Sequence, residues 1–486
     1  MSTYEPVIGL EIHAQLLTAT KIFCGCSTRF GAAPDTQLCP VCLGLPGALP
    51  VLNARAVEFG VRAALALGCR IHPESIFARK NYFYPDLPKG YQISQYDRPF
   101  ATDGAIAFSI GGAARRLGIV RVHLEEDAGK SLHEGAGDAG RTTHLDFNRS
   151  GVPLIEIVSQ PDLRTPAEAA EAFSRIREIL VALGVNDGNM EEGSLRCDAN
   201  VSVRPAGTAA FGVKTEVKNL NSFRHVHRAL EFEIERQVAA LSAGQRLVQE
   251  TRLWDAGAGR THVMRTKEEA DDYRYFPEPD LPPLVLEPAW IEALRSTLPE
   301  LPEARRRRFV EQYQLPEYDA GVLTQSMKLA DYFERVAATA GNAKAASNWV
   351  MGEILRKMKD TGTGIEDVPM TPDALAELVS LVDQGLITGP VAKAVFEKMY
   401  ESGRSARAIV DEEGLAKIGD AAAIDAIVRE VLSGHAPTVA EYRAGKTKAF
   451  GFLVGQVMKA TAGKADPGHV NESVRRFLAE PAGEPR

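Results

Sequence analysis

The sequence predicts an α+β fold in which a largely antiparallel sheet is followed by helical domains. Three observations support this prediction. Residues 1 to about 290 contain short alternating strand patterns and turn signals, interrupted by helical patterns but without regular βαβ alternation. A proline-rich stretch at 277–288 then indicates a domain boundary. Beyond it the chain becomes Ala-rich with a period of about 3.6 residues, which is typical of amphipathic helices.

Each predicted element follows from its residue pattern. Alternation of apolar and polar residues predicts strands at 7–16, 118–127, 151–160, 194–205 and 212–221. Helical periodicity interrupts these strands at 53–67, 166–183 and 222–241. After the boundary, the same periodicity predicts helices at 328–340, 345–359, 372–382, 422–432 and 450–460. We therefore expect three domains, at 1–290, 291–404 and 405–486.

Composition excludes several classes of protein. The formal net charge is −8, so the chain is not a globally basic nucleic-acid coat, although a local basic patch is allowed. No apolar run approaches the roughly 20 residues of a membrane span, and the N-terminus lacks the pattern of a signal peptide. Six cysteines are too few for a disulfide scaffold in a chain of this length. We expect a cytoplasmic protein with reduced thiols and no membrane contact.

Four of the six cysteines form a cluster with metal-ligand spacing. Cys24, Cys26, Cys39 and Cys42 follow the pattern C-x-C-x12-C-x2-C. Four thiolates from two turns can close the tetrahedral shell that Zn²⁺ prefers, and four cysteine ligands leave no open position for catalysis. The pattern therefore predicts a structural zinc site. Fortuitous burial of four thiols is the alternative.

Several predicted strands carry a polar face, because residues i and i+2 lie on the same side of a strand. The polar rows are Glu11, His13 and Gln15; Arg196, Asp198, Asn200, Ser202 and Arg204; and Lys214, Glu216 and Lys218. A fourth strand ends in Glu125, Glu126 and Asp127. Carboxylates with an imidazole suit a divalent cation that bridges to phosphate, and the lysines suit the phosphate itself. The alternative is an ordinary solvent-facing side of an antiparallel sheet.

The segment 79–96 combines aromatic, cationic and amide side chains without a helix or strand period. Aromatic rings offer stacking faces and cations contact phosphate, which are the requirements for binding single-stranded ends of nucleic acids. The candidate residues are Arg79, Lys80, Tyr82, Tyr84 and Tyr91. A long ordered loop whose tyrosines pack on the sheet is the alternative.

A second cationic segment lies near the C-terminus, at 442–464. It contains five basic residues, including Lys446 and Lys448, and no acidic residue. Such a patch contacts phosphate without reading sequence, so it is a candidate nucleic-acid-binding surface. A solvated pair of helices is the alternative.

Eight long segments together resemble the GatB family of the tRNA-dependent amidotransferases. They are IGLEIHAQL, RKNYFYPDLPKGYQISQYD, HLEEDAGKS, LDFNRSGVPLIEIVSQPD, MEEGSLRCDANVSVRP, EVKNLNSF, DDYRYFPEPDLPPL and GKTKAFGFLVGQVMKA. They extend from residue 8 to residue 460, so the resemblance covers essentially the whole chain. The chain lacks the inserted synthetase-like domain of the archaeal type and is similar to the bacterial and organellar type.

The resemblance implies a ligase that repairs mischarged tRNA. ATP phosphorylates the side-chain carboxylate of Glu-tRNA(Gln) or Asp-tRNA(Asn), and ammonia then displaces the phosphate. The family's architecture is a cradle domain, which carries the Mg²⁺, ATP and acyl-transfer site, a helical domain and a YqeY-like tail domain. The implied partners in the GatCAB heterotrimer are an amidase that supplies ammonia and a small third chain. No amidase Ser-Ser-Lys signature is evident in this chain, so glutamine hydrolysis is expected from the partner.

The resemblance also implies roles for individual residues. It assigns the catalytic Mg²⁺ site to Glu11, His13 and Glu126, with Glu216 as a further contributor and Glu125 as an adjacent alternative. Four residues of the polar rows are candidates for ATP or the acyl phosphate: Asp198, Asn200, Lys214 and Lys218. The aromatic segment would take the aminoacylated 3′ end. Some family members lack the four cysteines, so zinc is not expected to take part in the chemistry.

A rival hypothesis is a non-catalytic tRNA-binding member of the same complex. It would keep the aromatic segment and the basic tail, but it needs no row of carboxylates and histidine.

Overall fold

The computed structural model describes residues 4–132, 143–266, 273–418 and 420–479. The chain forms two compact units, one ending at Glu303 and the other beginning at Ala304. Each unit is described by itself.

The first unit contains the strands. In chain order they are β1 Tyr4–Gln15, β2 Arg70–Ile71, β3 Glu74–Ser75, β4 Ala78–Asn81, β5 Tyr91–Ser94, β6 Ala101–Ile110, β7 Ala113–Glu126, β8 Lys130–Leu132, β9 His144–Asp146, β10 Pro153–Ser159, β11 Leu195–Pro205, β12 Thr215–Lys218, β13 Glu250–Asp255, β14 Arg260–Thr266, β15 Phe276–Pro277 and β16 Leu284–Val285.

Nine of these strands form one sheet, in the order β14-β13-β12-β11-β1-β10-β7-β6-β2. All neighbours in it are antiparallel except the pair β12 and β13. A smaller ladder joins β15 to β4 and β4 to β5. Two further ladders pair β16 with β3 and β8 with β9. The predicted α+β class with a largely antiparallel sheet is confirmed.

In the described ranges of this unit, four helices accompany the sheet: α1 Ala54–Ala66, α2 Pro166–Ala182, α3 Phe223–Ser242 and α4 Pro288–Ser296. The first three begin at side-chain caps, where Asn53, Thr165 and Ser222 accept hydrogen bonds from backbone N–H groups of the first turn. These three helices pack on the sheet face that carries alternate apolar residues, such as Leu10 and Ile12 of β1. The helices cover this face, and the opposite face keeps the polar rows.

The proline-rich stretch belongs to the first unit. Its strands β15 and β16 pair with β4 and β3, so the stretch is tied into the same unit as the sheet. The predicted boundaries at 290 and 404 stay predictions.

The second unit is helical. Its helices are α5 Pro302–Tyr313, which begins at the junction, α6 Glu317–Leu323, α7 Met327–Ala340, α8 Ala343–Trp349, α9 Leu355–Thr361, α10 Pro372–Asp383, α11 Gly389–Ser402, α12 Ala406–Glu412, α13 Ala421–Gly434, α14 Ala436–Arg443, α15 Lys448–Ala460 and α16 Pro467–Ala479. A π-helical turn at Val350–Ile354 joins α8 to α9, and a 3₁₀ turn spans Ile365–Asp367.

Two hydrophobic clusters stabilise this unit. One contains buried residues between Phe309 and Val410, and the other contains buried residues between Ile424 and Leu478. Within the described ranges, no helix has both the length and the apolar character needed to cross a membrane.

Candidate active site

Strand register brings the separate polar rows onto one face of the sheet. On β1, His13 lies opposite Glu156 of β10, and Glu156 lies opposite His123 of β7. On the other side of β1, Glu11 lies opposite Asp198 of β11. Because directly opposed residues point to the same side of a sheet, these side chains converge on the face that the helices leave open.

The tightest group consists of His13, Glu125 and Glu156. The His13 Nε2 atom lies 3.7 Å from Oε1 of Glu125 and 3.4 Å from Oε2 of Glu156. One ligand atom from each residue lies within 4.8 Å of the others, and both carboxylates are buried. An imidazole nitrogen with two carboxylate oxygens is a donor set that can hold a divalent cation.

A second histidine supports the same carboxylates from the other side. The Nε2 atom of the buried His123 lies 3.4 Å from Oε2 of Glu156 and 3.6 Å from Oε2 of Glu125. Burial alone would raise the pKa of Glu156, but His123 and His13 outweigh it and hold this pKa well below its ordinary value. Glu156 is therefore ionised and available as a ligand at neutral pH.

Glu11 borders this group, and its carboxyl group has more negative than positive side chains around it. Its Oε1 atom accepts a 2.7 Å hydrogen bond from Nδ2 of Asn200. The pKa of Glu11 is raised, first because the carboxyl is buried and then because Glu156 and Glu216 lie nearby. A buried excess of carboxylates is stabilised by an added cation, so the residues present fit the Mg²⁺ ion that the family resemblance implies.

A lysine lies at the other end of the same face. Nζ of Lys218 donates to Oδ2 of Asp198 at 2.5 Å and lies 2.9 Å from Oε1 of Glu216. Burial opposes its charge, but Asp198 and Glu216 raise the pKa of Lys218 above its ordinary value. Lys214 is exposed just before β12. The site therefore has fixed positive charge beside its carboxylates.

All of these residues except Glu125 line a cavity of about 540 Å³. Ten residues predicted from the sequence line it: Glu11, His13, Lys80, Tyr82, Tyr84, Asp198, Asn200, Lys214, Glu216 and Lys218. A neighbouring cavity of about 390 Å³ shares Glu11, Asn200 and Lys214 and has a more apolar lining. The fold thus brings together rows that are far apart in the sequence.

Tyrosines form one wall of the larger cavity. The rings of Tyr96 and Tyr275 stack with centroids 4.1 Å apart and planes inclined by 6°. Tyr82 makes edge contacts with Tyr84 and Tyr273, and Nζ of Lys80 lies 4.9 Å from the centroid of the Tyr273 ring. The wall offers flat aromatic surface beside an ammonium group.

The structure does not bring Glu126 to the group around His13. Glu126 follows Glu125 on β7, so the two side chains point to opposite faces. The Glu126 carboxylate pairs with Nζ of Lys89 and accepts a 2.8 Å hydrogen bond from the backbone N–H of Ile93. The carboxylate that lies beside His13 is therefore Glu125, the alternative raised by the sequence. The geometry favours Glu125 over Glu126, and the metal assignment itself stays a prediction.

Arg79 and Tyr91 also lie outside the larger cavity. Arg79 donates from Nε and Nη2 to the two carboxylate oxygens of Glu278, each at 2.8 Å, and its Nη2 contacts Asp280 at 3.1 Å. Its guanidinium carbon lies 4.2 Å from the centroid of the Tyr91 ring. These contacts tie β4 and β5 to the segment around Glu278.

Sequence reasoning missed several residues at this site. Among them are Glu156, His123, Arg121, Tyr96, Tyr273 and Tyr275, all of which line the cavity. Glu156 is a lone carboxylate inside the apolar run PLIEIV, and a buried charge in such a run is a usable signal. His123 and Glu125 alternate with the apolar Val122 and Leu124, which places them on the polar face.

The four predicted cysteine ligands form a second site. One Sγ atom from each lies within 4.8 Å of the others. The thiol of Cys42 accepts a hydrogen bond from the backbone N–H of Cys39 at 3.2 Å. Its pKa is lowered because Cys24 donates a hydrogen bond to it, with smaller help from that N–H and from Lys21, while burial opposes the shift. This cluster could bind a metal, and its all-sulfur donor set fits Zn²⁺.

The predicted tail residues belong to the second unit. Lys446 and Lys448 are exposed at the turn between α14 and α15, and Lys446 pairs with Glu441 at 2.9 Å.

Comparison with known proteins identifies the family of the chain. The chain matches the family model of the GatB/GatE catalytic domain over residues 6–292 and a further GatB domain over residues 331–478. It is 58% identical to the GatB subunit of aspartyl/glutamyl-tRNA(Asn/Gln) amidotransferase from Moorella thermoacetica, over 98% of this chain and 100% of that one. The protein of the same name from Geotalea uraniireducens is 55% identical, over 98% of this chain and 99% of that one. The one from Carboxydothermus hydrogenoformans is 52% identical, over 99% of this chain and 100% of that one. The chain therefore belongs to the GatB family of aspartyl/glutamyl-tRNA(Asn/Gln) amidotransferase subunits.

Proposed function

We propose that the chain uses ATP to activate the side-chain carboxylate of Glu-tRNA(Gln) or Asp-tRNA(Asn) and completes its amidation. The amidotransferase role and the ligase class predicted from the sequence are confirmed by the family. The observation that carries the proposed chemistry is the meeting of His13, Glu125 and Glu156. Of these, His13 and Glu156 line a cavity that Lys80 and Lys218 also line. A carboxylate is a poor electrophile, so the reaction needs such a site for phosphoryl transfer.

The proposed reaction has two steps. The side-chain carboxylate oxygen attacks the γ-phosphorus of ATP, the bond to the β–γ bridging oxygen breaks, and ADP leaves. Ammonia then attacks the carbonyl carbon of the acyl phosphate and the C–O bond breaks. Inorganic phosphate leaves with the bonding electrons and takes up the proton that the new amide nitrogen loses. Phosphoryl transfer of this kind depends on positioning and on fixed charge.

Different side chains of the polar face would bind the metal ion, the phosphates and the nucleotide. His13, Glu125 and Glu156 would hold Mg²⁺, with Glu11 beside them, and the ion would supply positive charge to phosphate oxygens. Lys218 and Lys214 would contact phosphate, and Asp198 and Glu216 would hold Lys218 in place. Asn200 would bind the nucleotide at the border with the more apolar neighbouring cavity, which could take its base.

The aromatic wall would bind the aminoacylated 3′ end. Tyr82 and Tyr84 would stack on unpaired bases, and Lys80 would contact the terminal phosphate. Arg79 and Tyr91 were predicted to bind the same end. The contacts of Arg79 with Glu278 and with the Tyr91 ring instead support a role in fixing the neighbouring strands.

The cysteine cluster would hold one structural Zn²⁺. It would stabilise the long segment between β1 and α1 and take no part in the reaction.

The name of the relatives implies a complex of several chains. We propose that the partners are an amidase and a small third chain, which together with this protein would form a GatCAB heterotrimer. The amidase is needed because ammonia must be released from glutamine and the sequence shows no amidase signature. The complex would act in the cytoplasm, where charged tRNA is found.

The test is tRNA-dependent ATP hydrolysis by the assembled complex. Hydrolysis that requires Glu-tRNA(Gln) or Asp-tRNA(Asn), together with formation of the amide, is the expected result. A complex that binds charged tRNA but hydrolyses no ATP in its presence would favour the rival, a non-catalytic tRNA-binding role.

Glu125→Gln should reduce tRNA-dependent ATP hydrolysis at least about 100-fold, because it removes a charged ligand from the group around His13. Glu126→Gln is the matched control, since its carboxylate faces Lys89 on the other side of the strand. It should retain hydrolysis within about tenfold of the wild type. Hydrolysis that survives Glu125→Gln and is lost with Glu126→Gln would instead support Glu126 as the metal ligand.

Replacing Lys446 and Lys448 together with Ala should raise the KM for charged tRNA and leave kcat nearly unchanged. Loss of two phosphate contacts should lower the slope of log affinity against log salt by about 2. Lys344→Ala with Lys359→Ala, which removes two exposed lysines elsewhere in the second unit, is the control. Equal tRNA affinity of both double variants would mean that the tail lysines are an ordinary solvated surface.

A further inference from the structure

Arg121 lines the larger cavity, and the chemistry described so far gives it no role. It lies on β7, two residues before His123, and therefore on the same face as His123 and Glu125. In the sheet it is opposite Val158 of β10, which is in turn opposite Glu11 of β1. Two strand spacings separate the Cα atoms of Arg121 and Glu11 by about 10 Å, which an extended arginine side chain can largely bridge.

The guanidinium of Arg121 lacks protein partners in the part of the chain that the structure describes. Its Nε atom is buried and makes no hydrogen bond. Two other cations of this face are held by carboxylates: Arg196 pairs with Asp127 at 3.1 Å, and Lys218 pairs with Asp198. A buried donor without a partner costs free energy unless a ligand satisfies it.

The surroundings of Arg121 indicate which ligand would satisfy it. The planar guanidinium offers several N–H donors that match phosphate oxygens in a bidentate manner, and it remains charged throughout the pH range of the reaction. The cavity is also lined by His13 and Glu156, which belong to the group proposed to hold the metal, and by His123, which contacts Glu156. A phosphoryl group bound to that metal would therefore lie next to Arg121.

We infer that Arg121 binds the phosphoryl group while it passes from ATP to the side-chain carboxylate of the charged tRNA. The inference rests on the proposed function, because it assigns a residue to that reaction. Arg121 would donate N–H groups to the non-bridging oxygens of the γ-phosphoryl group, and it would keep these contacts in the acyl phosphate. It neither gains nor loses a proton, and the only bonds that change are those of the transfer itself.

The experiment uses the assembled complex with Arg121→Ala, Arg121→Lys and a control. Arg116→Ala is the control because Arg116 lies on the same strand, is exposed and does not line the cavity. The first measurement compares binding of a non-hydrolysable ATP analogue with binding of ADP. We expect Arg121→Ala to weaken binding of the analogue at least about tenfold and to leave ADP binding unchanged, since only the analogue carries the γ-phosphoryl group.

The second measurement is tRNA-dependent ATP hydrolysis. We expect Arg121→Ala to lower kcat about 100-fold with little change in the KM for charged tRNA, and added methylguanidine to restore part of the rate. Arg121→Lys keeps the charge but loses the bidentate geometry, so we expect kcat to fall about tenfold. If the complex with Arg121→Ala does not assemble, the result for Arg121→Lys tests the inference.

Two results would overturn the inference alone. One is wild-type hydrolysis and analogue binding in both Arg121 variants. The other is a raised KM for charged tRNA with unchanged kcat, which would place Arg121 on a phosphodiester of the tRNA. A wild-type complex without tRNA-dependent ATP hydrolysis would instead refute the proposed function, and the inference would fail with it.

Discussion

We expect His13→Ala to reduce tRNA-dependent ATP hydrolysis by the assembled complex at least about 100-fold. His13 contacts both Glu125 and Glu156 from β1, with Nε2 at 3.7 Å and 3.4 Å from their carboxylates. Removing the imidazole takes a neutral ligand from the proposed Mg²⁺ site and leaves two buried carboxylates without a partner on that side. The positive charge that stabilises the transferring phosphoryl group would then be lost or misplaced.

The loss should be confined to the phosphorylation step. Glutamine hydrolysis by the proposed partner amidase should survive, because its active site lies on another chain. Binding of charged tRNA should also survive, since the proposed contacts with the 3′ end come from Lys80, Tyr82 and Tyr84. Glu11→Ala should show the same pattern, because Glu11 borders the same group and hydrogen-bonds Asn200.

The decisive measurement is ATP hydrolysis at saturating charged tRNA and Mg²⁺. His227→Ala is a matched control, because His227 is half exposed on α3 and does not line the cavity. Thermal unfolding of each variant separates loss of chemistry from loss of fold. Equal hydrolysis by the wild type and His13→Ala would mean that this row is only a polar sheet face, and the phosphorylation site would have to be sought elsewhere.

Cys39→Ser should abolish stoichiometric zinc binding and lower the free energy of unfolding of the first unit by about 3 kcal/mol or more. The physical reason is the length of chain that the metal would hold. Residues 16–53, between β1 and α1, contain neither helix nor strand, so no regular hydrogen-bond ladder holds this segment. Four thiolates on one ion would cross-link it, and three thiolates would bind the ion more weakly.

Metal analysis of the purified protein and thermal unfolding measure this effect. We expect one zinc per chain in the wild type, none after chelation, and a similar fall in melting temperature after chelation and in Cys39→Ser. Cys69→Ala is the control, because Cys69 is a buried core thiol outside the cluster. Wild-type protein without zinc, whose four thiols react freely in the native state, would contradict the prediction.

The local sequence pattern was sufficient to predict the two faces of the main strands and the starts of the first three helices. Alternation along β1 and β11 predicted the two faces of each strand, and the structure keeps Glu11 with His13 and Asp198 with Asn200 on one side. The caps Asn53, Thr165 and Ser222 begin the three predicted helices of the first unit within one residue of expectation. Such features depend on neighbours in sequence, so they can be derived from the residues alone.

The choice between Glu125 and Glu126 shows where sequence reasoning was incomplete. Val122 and Leu124 face the core, and Glu126 has the same parity, whereas His123 and Glu125 have the other. The alternation therefore places Glu125 and Glu126 on opposite faces of β7, but it does not reveal which residues each face contacts. Lys89 and the Ile93 N–H lie on the Glu126 side, and His13 lies on the Glu125 side.

Only the tertiary structure decided which residues from distant strands share the site. The sequence cannot show that Glu156 lies opposite both His13 and His123, or that Arg79 pairs with Glu278 and lies outside the larger cavity. Strand order and register are set by the packing of many side chains across the sheet, and a shift of one residue would turn every side chain of a strand to the other face. Side-chain periodicity is a local property of the chain, whereas register is a property of the whole sheet.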